Sequence, residues 1–216
     1  MKNYVVIGCG RFGSSIAKTL HSLGHEILAI DKNEEIIQNI ADYVTHAVEA
    51  DCTDENVLKS LGISNFDVAV VSIGSDVQSS IMATLIVKDL GVPYVLCKAQ
   101  NELQAKVLYK IGADRVVFPE REMGIRVAHN LVSQNVLEYI ELDPHYSIAE
   151  IVAPSKWVGK SIGDLDLRAN FGVNVMALKC GMDINISPLA EDNLKPGDVL
   201  VVIGKNEQIN KIENCC

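Results

Sequence analysis

A glycine-rich hexapeptide near the start of the chain has the spacing of a phosphate-binding loop. Gly8, Gly10 and Gly13 follow an apolar run from Tyr4 to Ile7 and precede a segment with helical periodicity. In that setting the first glycine permits a tight turn, and the second lets a phosphate approach the backbone. The third allows the helix to pack closely on the strand. The amides at the start of the helix would then face an anion.

A carboxylate stands where a ribose would be recognised. Asp31 ends the second predicted strand, 18 residues after Gly13, close to the separation of about 20 residues that is typical of dinucleotide sites. A carboxylate here accepts hydrogen bonds from ribose hydroxyls. It would also repel a 2′-phosphate, so the pattern favours NAD over NADP despite the neighbouring Lys32. The glycine turn and Asp31 together predict a nucleotide site.

Further candidate residues follow the ends of the other predicted strands. Ligands of open α/β sheets bind outside the carboxyl ends of the strands, so these residues should meet at one edge. They are Asp51 and Cys52 after the third strand, Ile73, Gly74 and Ser75 at the fourth, Lys98, Ala99 and Gln100 at the fifth, and Glu120 after the sixth.

The charged residues among these candidates have more than one interpretation. Lys98 could contact a phosphate. Glu120 could hold a cation that bridges phosphates, or it could cap the following helix. Arg11, inside the glycine loop, can reach phosphate oxygens with its bidentate fork, or it can remain a solvated loop charge.

The elements that must position these residues alternate between strand and helix over residues 1–120. The predicted strands are Tyr4–Ile7, Glu26–Ile30, Ala47–Glu49, Val68–Ile73, Tyr94–Lys98 and Arg115–Phe118. The predicted helices are Ser14–Leu23, Glu34–Ala41, a short one from the Asp54 cap to Leu61, Val77–Leu90 and Glu102–Ile111. This alternation predicts an α/β fold, a Rossmann-like doubly wound parallel sheet with the nucleotide-binding strand order.

The character of the chain changes after Phe118. Residues 121–142 are predicted to form a crossover helix, Glu122–Gln134, and a linker that includes Val136–Leu142. Residues 143–216 are predicted to form a second, smaller α+β domain with short strands separated by turns such as Pro196-Gly197-Asp198. Those strands are Ser147–Ala153, Val173–Leu178, Asp183–Ser187 and Val199–Ile203.

Composition excludes several classes of protein. The chain has 216 residues, with 28 Asp plus Glu against 19 Lys plus Arg and a formal charge of −9. This acidic balance argues against a general nucleic-acid binder, whose affinity comes from Lys and Arg. The hydrophobic fraction of 48% excludes wholesale disorder. No apolar run approaches the ~18 residues of a membrane span, and no signal peptide is evident, so we expect a cytoplasmic protein.

The residues offer a nucleotide site without a convincing reaction. A hydride-transfer enzyme needs a proton donor or acceptor beside the nicotinamide, and the five histidines fall on helices, turns and strand starts. We therefore expect a protein that is not an enzyme, with an NAD-dependent oxidoreductase as the alternative. A redox-sensing transcriptional repressor is a further rival, but it needs a helix-turn-helix, for which the region before the first strand has no room.

Several short stretches are more specific than a generic dinucleotide fold. They are Gly10-Arg11-Phe12-Gly13, Gly24-His25-Glu26, Ala29-Ile30-Asp31, Lys98-Ala99-Gln100, Ile111-Gly112-Ala113-Asp114, Pro119-Glu120 through Met123-Gly124 and, in the small domain, Asn193 to Asp198 and Val199 to Gly204. In these the chain resembles the cytoplasmic regulatory subunits of bacterial Ktr/Trk potassium-uptake systems, which are RCK (KTN) domain proteins of the KtrA type. The resemblance extends over essentially the full chain.

The resemblance implies a regulatory function. Such proteins form homodimers that assemble into a homo-octameric ring beneath a membrane potassium-translocating subunit, at the inner face of the cell membrane. They bind ATP or ADP, and also NAD(H), with ATP favouring the conducting state. By resemblance, Arg11 contacts the γ-phosphate, and Glu120 holds a divalent cation or Na⁺ between subunits.

The resemblance also assigns two sets of binding residues. The nucleotide cleft would be lined by the glycine loop, including Phe12, and by Asp31, Lys32, Asn33, Asp51, Cys52, Ile73, Gly74, Ser75, Lys98, Ala99 and Gln100. The C-terminal module of similar proteins binds cyclic di-AMP between two protomers. The candidate residues for such a site here are Ile162, Arg168, Phe171, Asn174 and Pro188. Alternatively, these residues only build a dimer interface.

Overall fold

Two units make up the chain, residues 1–119 and residues 120–216. The structure, a computed structural model, describes residues 2–74, 76–132 and 136–213. Within these residues no helix has both the length and the apolar character needed to cross a bilayer.

The first unit contains a six-stranded parallel sheet. Its strands are β1 (Asn3–Ile7), β2 (Glu26–Asp31), β3 (His46–Glu49), β4 (Val68–Val71), β5 (Tyr94–Lys98) and β6 (Arg115–Val117). Its helices are α1 (Arg11–Ser22), α2 (Glu34–Ile40), α3 (Glu55–Ser60), α4 (Val77–Asp89) and α5 (Glu102–Lys110). The strand order is β3-β2-β1-β4-β5-β6, which confirms the predicted doubly wound topology.

Helices cover both faces of this sheet because alternate residues of its central strands are apolar on both sides. Val5 and Ile7 of β1 belong to one buried cluster, whereas Val6 belongs to another. All three side chains are fully buried. A strand that is apolar on both faces is typical of a parallel sheet enclosed by helices, and it leaves only the strand ends for polar chemistry.

The second unit is built on an antiparallel sheet of five strands in the order β10-β9-β11-β8-β7. Its strands are β7 (Val136–Asp143), β8 (Tyr146–Val152), β9 (Asn174–Cys180), β10 (Asp183–Asn185) and β11 (Val199–Lys205). Its helices are α6 (Pro119–Val132, which begins at the unit boundary), α7 (Ile162–Leu165), α8 (Leu167–Phe171) and α9 (Asn206–Glu213). This confirms the predicted smaller α+β domain, but residues 136–142, predicted to be a linker, form most of strand β7, which pairs with β8 in its sheet.

Element boundaries differ from prediction in a few places. Strand β4 ends at Val71, two residues before its predicted end. Helix α6 begins at Pro119, not at Glu122, since proline is well suited to the first position of a helix. Its predicted end at Gln134 lies outside the described residues. Helices α7, α8 and α9 were not among the predicted elements.

Helix α9 is held on the second sheet by two fully buried isoleucines. Ile209 and Ile212 are each 0% exposed and belong to the core of the second unit. Their spacing of three residues places both on one face of the helix. The helix therefore contributes core side chains to the small domain.

Shortening the Ile209 side chain should destabilise the second unit. We expect Ile209→Ala to lower the free energy of unfolding by about 2–5 kcal/mol, because a fully buried side chain is removed and a cavity remains. Urea denaturation measures the change. Ile186→Ala is the matched control, since Ile186 is 78% exposed. An equal loss of stability in the two variants would contradict the packing described here.

Candidate nucleotide-binding site

A cleft of about 310 Å³ opens at the carboxyl ends of strands β1, β2 and β4. This is the edge at which open α/β sheets bind their ligands. Its walls are Gly8, Gly10, Ile30, Asp31, Lys32, Asn33, Ile36, Ala50, Asp51, Cys52, Ser72, Ile73, Gly74, Asp76 and Ser79. Nine of the residues predicted from the sequence are among them.

The glycine turn has the geometry that its sequence predicts. Gly8 has a φ of +87°, and a Cβ added there would lie 3.1 Å from the backbone nitrogen of Ile73. A Cβ on Gly13 would overlap the carbonyl oxygen of Gly8 and the hydroxyl of Ser72. By contrast, nothing lies within 4 Å of a Cβ added to Gly10. The first and third glycines are required by packing, and the second leaves its backbone open to a ligand.

Among the α-helices described in the parallel-sheet unit, α1 is the one whose start no side chain caps. Helices α2, α3, α4 and α5 each begin with a side chain that accepts from backbone amides of the first turn, namely Asn33, Asp54, Asp76 and Asn101. Helix α1 is preceded by Gly10 at the N-cap position, with no capping side chain and no acidic residue in its first turn. Its amides and the positive end of its dipole are therefore available to an anion.

Asp31 is held in place by two backbone amides. Its Oδ2 accepts from the amide of Cys9 at 2.7 Å, and its Oδ1 accepts from the amide of Asn33 at 3.0 Å. The carboxylate therefore joins the glycine loop to the start of helix α2. A carboxylate offers about four acceptor positions, so others remain for ribose hydroxyls.

Two more carboxylates line the cleft. Asp51 accepts from the hydroxyl and the amide of Thr53 at 2.7 and 2.9 Å, and these hydrogen bonds lower the pKa of Asp51. Asp76 accepts from the hydroxyl and the amide of Ser79 at 2.7 and 3.0 Å, which lowers the pKa of Asp76 in the same way. With Asp31 and the single cation Lys32 among the lining residues, this side of the cleft is formally negative. It suits hydroxyl or amino donors better than phosphates.

The remaining wall is apolar. Ile30, Ile36, Ala50 and Ile73 line the cleft together with Cys52. Burial, and then the nearby Asp51 charge, raise the pKa of the Cys52 thiol to about 11, so the thiol stays neutral at physiological pH. This wall can take the flat face of a base.

Other predicted residues lie around the cleft without lining it. Arg11 is exposed at the first position of helix α1. The Nζ atom of Lys98 lies 5.9 Å from the centre of the Phe12 ring. The side-chain amide of Gln100 donates to the carbonyl of Gly74, which does line the cleft. Lys98 and Gln100 therefore both lie beside Gly74, at the edge of the cleft.

Two further predicted residues, Ala99 and Glu120, are not among the residues that line the cleft, and a third is not described. The side chain of Ala99 is 1% exposed and packs in the core, while its amide donates to Val117 at 3.0 Å. The predicted wall role of Ala99 is thus replaced by a core role. Glu120 lies in the first turn of α6, in the second unit, and its contact with a nucleotide stays a prediction. Ser75 lies outside the described residues.

Sequence reasoning missed part of the site. Asp76 and Ser79 line the cleft, and so does Ser72. The pair Asp76 and Ser79, three residues apart at the start of α4, is a helix-capping pattern that could have been recognised after strand β4. Ser72 had no such signal, because its partner Gly8 is 64 residues away in the sequence.

A second cavity, of about 230 Å³, lies in the small domain. Four of the five predicted residues line it, namely Ile162, Arg168, Asn174 and Pro188. The fifth, Phe171, is not among the lining residues and packs edge-on against Trp157, with ring centres 5.6 Å apart. The cavity is also lined by Asp166, whose φ of +36° is left-handed.

Two family models match the chain. Residues 4–119 match the TrkA-N domain and residues 147–215 match the TrkA-C domain. Ktr system potassium uptake protein C of Bacillus subtilis (strain 168) is 49% identical over 212 residues, which cover 98% of this chain and 96% of that protein. The chain belongs to the Ktr family of potassium-uptake proteins. The resemblance predicted from the short motifs is confirmed.

Other Ktr proteins are similar over the same length. Ktr system potassium uptake protein A of Bacillus subtilis (strain 168) is 48% identical over 99% of this chain and 96% of that protein. The protein A of Vibrio alginolyticus is 40% identical over 99% of this chain and 97% of that protein. The family assignment therefore covers both units of this Ktr chain.

Solved structures share the fold of this Ktr chain at low sequence identity. The crystal structure of the GsuK RCK domain has a TM-score of 0.68 at 19% identity, over 99% of this chain and 47% of that one. The GsuK channel bound to NAD has a TM-score of 0.67 at 18% identity, over 98% of this chain and 39% of that one. This chain thus spans less than half the length of either structure, and the comparison confirms the fold class.

Substitution of the tightly packed Gly13 should affect folding, whereas substitution of the open Gly10 should affect ligand binding. We expect Gly13→Ala to lower the free energy of unfolding by about 1–3 kcal/mol, because its Cβ would overlap backbone atoms that cannot move aside. Gly10→Ala should cost at most about 1 kcal/mol, yet weaken the binding of phosphate-bearing nucleotides. Urea denaturation and calorimetry with ADP measure the two effects. The reverse order of stabilities would contradict the packing of the turn.

Proposed function

We propose that the chain is the cytoplasmic, nucleotide-binding regulatory subunit of a potassium-uptake system. The observation that carries the proposal is the glycine turn with an uncapped helix start at the mouth of a cleft, in a chain 49% identical to a Ktr potassium uptake protein along its length. The partner would be a membrane potassium-translocating subunit, which places the protein at the inner face of the cell membrane. Its activity would be regulatory and not enzymatic.

The ligands we propose for the cleft are ATP, ADP and NAD(H). The apolar wall of Ile30, Ile36 and Ile73 would take the base, and Asp31 would accept from ribose hydroxyls. The phosphates would then lie at the amides of the glycine turn and the start of helix α1. In support, structures of the same fold are described as GsuK bound to NAD and GsuK bound to ADP.

Regulation would come from the difference between ATP and ADP. A nucleotide shifts an equilibrium between two shapes only as far as its affinities for those shapes differ. Arg11, which is exposed at the first position of helix α1, would contact a γ-phosphate that ADP lacks. A charge-assisted bidentate contact would then favour one shape when ATP is bound.

The proposed assembly is a homodimer that builds a homo-octameric ring, with a divalent cation or Na⁺ at Glu120. No three acidic, histidine or cysteine side chains converge on a metal position anywhere in residues 2–74, 76–132 and 136–213. Glu120 would therefore supply one ligand, and the others would have to come from the nucleotide and a second copy of the chain. The cation would compensate the charge of the phosphates.

An NAD-dependent oxidoreductase is the weaker alternative. The described lining of the cleft offers carboxylates, a lysine and the neutral Cys52, but neither a histidine nor a tyrosine that could act beside a nicotinamide. Three relatives that are 40–49% identical over 98–99% of the chain are Ktr system potassium uptake proteins.

The cavity of the small domain is the proposed site for cyclic di-AMP. Arg168 is the cationic residue among its described lining residues, and a guanidinium can bind a phosphodiester through two hydrogen bonds. Ile162 and Pro188 would contact the bases. Phe171 would act from beneath the cavity, through its packing on Trp157.

Removal of the Arg11 side chain should reduce the discrimination between ATP and ADP. We expect Arg11→Ala to lower ATP affinity about 10- to 100-fold, the range for loss of a hydrogen bond to a charged group. ADP and NAD affinities should change much less. Isothermal titration calorimetry gives all three.

Arg115→Ala is the matched control for the loss of one positive charge, because Arg115 is exposed at the opposite, amino-terminal end of strand β6. It should leave the ATP/ADP affinity ratio as in the wild type. An unchanged ratio in Arg11→Ala would contradict the proposed role of Arg11.

Arg168→Ala should abolish or strongly reduce cyclic di-AMP binding and leave ADP binding unchanged. The guanidinium would no longer neutralise the phosphodiester, whereas the nucleotide cleft lies in the other unit. Calorimetry with each ligand measures both, with Arg115→Ala again as the control. Full cyclic di-AMP affinity in Arg168→Ala would show that this cavity is not the site.

A further inference from the structure

We propose that Ser72 is a positioning residue of the nucleotide cleft, and that its hydroxyl fixes the glycine turn in the conformation that accepts a phosphate. Ser72 lines the cleft at the end of strand β4, and its side chain is only 7% exposed. The inference rests on the proposed nucleotide binding and extends it to a residue outside the glycine motif.

Ser72 contacts the first strand at two successive positions. Its amide donates to the carbonyl of Ile7 at 2.8 Å, which continues the pairing of β4 with β1. Its hydroxyl then donates to the carbonyl of Gly8. Because a carbonyl can only accept, the direction of this second hydrogen bond is settled.

The peptide units around Gly8 are thereby held from both sides. The amide of Gly8 donates to the carbonyl of Ile30 at 2.8 Å, at the end of strand β2. The carbonyl of Gly8 accepts from Ser72, at the end of strand β4. With the φ of +87° at Gly8, these two contacts determine where the turn points.

Helix α1 is positioned by the same contact. The two atoms that a Cβ on Gly13 would overlap are the Gly8 carbonyl oxygen and the Ser72 hydroxyl oxygen. The first turn of α1 therefore packs directly against the hydrogen bond between Ser72 and Gly8. The direction of the uncapped amides at the start of α1 depends on this packing.

The hydroxyl also has an electrostatic function. A carbonyl oxygen carries partial negative charge, and one that turned toward the cleft would repel a phosphate. The Ser72 hydroxyl compensates that charge and keeps the carbonyl turned away, so that only N–H groups face the ligand. Without the hydroxyl, the Gly8 carbonyl would lose its buried partner and could satisfy itself only by moving.

The test compares a ligand with phosphates and one without. We expect Ser72→Ala to weaken ADP binding about tenfold and to change adenosine binding less than about twofold, because adenosine does not reach the glycine turn. Calorimetry of the full chain with ADP and with adenosine measures both. Ser80→Ala is the matched control, since the Ser80 hydroxyl is fully buried and has no hydrogen-bond partner in the described part of the chain.

The outcomes separate this inference from the proposed function. If Ser72→Ala loses ADP affinity and adenosine affinity by the same factor, Ser72 has only a structural role. If neither affinity falls, Ser72 has no role in binding. Either result overturns the inference while wild-type ADP binding stands. Failure of the wild type to bind ADP would overturn the proposed function itself. If Ser72→Ala does not fold, Ser72→Cys replaces it, because a thiol keeps a weak donor. It should show a smaller loss of ADP affinity, with adenosine affinity unchanged. A ratio of ADP affinity to adenosine affinity equal to that of the wild type would overturn the inference.

Discussion

Helix α1 packs so closely on the ends of strands β1 and β4 that residue 13 has no room for a Cβ. This close approach brings the start of the helix to the edge of the sheet, where no side chain caps it. The backbone amides there need an acceptor, and the open space outside Gly10 leaves room for one. The position of the cleft follows from this packing.

The cleft combines carboxylates with an uncapped helix start. Asp31, Asp51 and Asp76 line it, and each accepts from a backbone amide. Gly10, at the uncapped start of α1, lines it as well. A ligand that presents both hydroxyls and phosphates suits this combination, and nucleotides carry both. An acidic protein can therefore bind an anionic ligand locally.

Local patterns were enough to predict the parallel sheet and much of the site. Gly8, Gly13 and Asp31 follow rules that involve one turn or one strand end. The two glycines pack as expected, and Asp31 lines the cleft. Ala99 was misplaced because the alternation of strand β5 continues past its end and turns that side chain into the core. Ser72 was missed because its role depends on a contact between residues far apart in the sequence. Tertiary packing, and not local pattern, determines such positions.

Hydrogen–deuterium exchange with and without ADP tests the central claim most directly, because it reports on the backbone amides to which the phosphate should bind. The account predicts that ADP slows exchange in the peptides that span Gly8–Ser14 and Asp31–Ile36, with little change in the small domain's strands β9 and β11. Nucleotide-dependent protection that omits the glycine turn and appears elsewhere would contradict it.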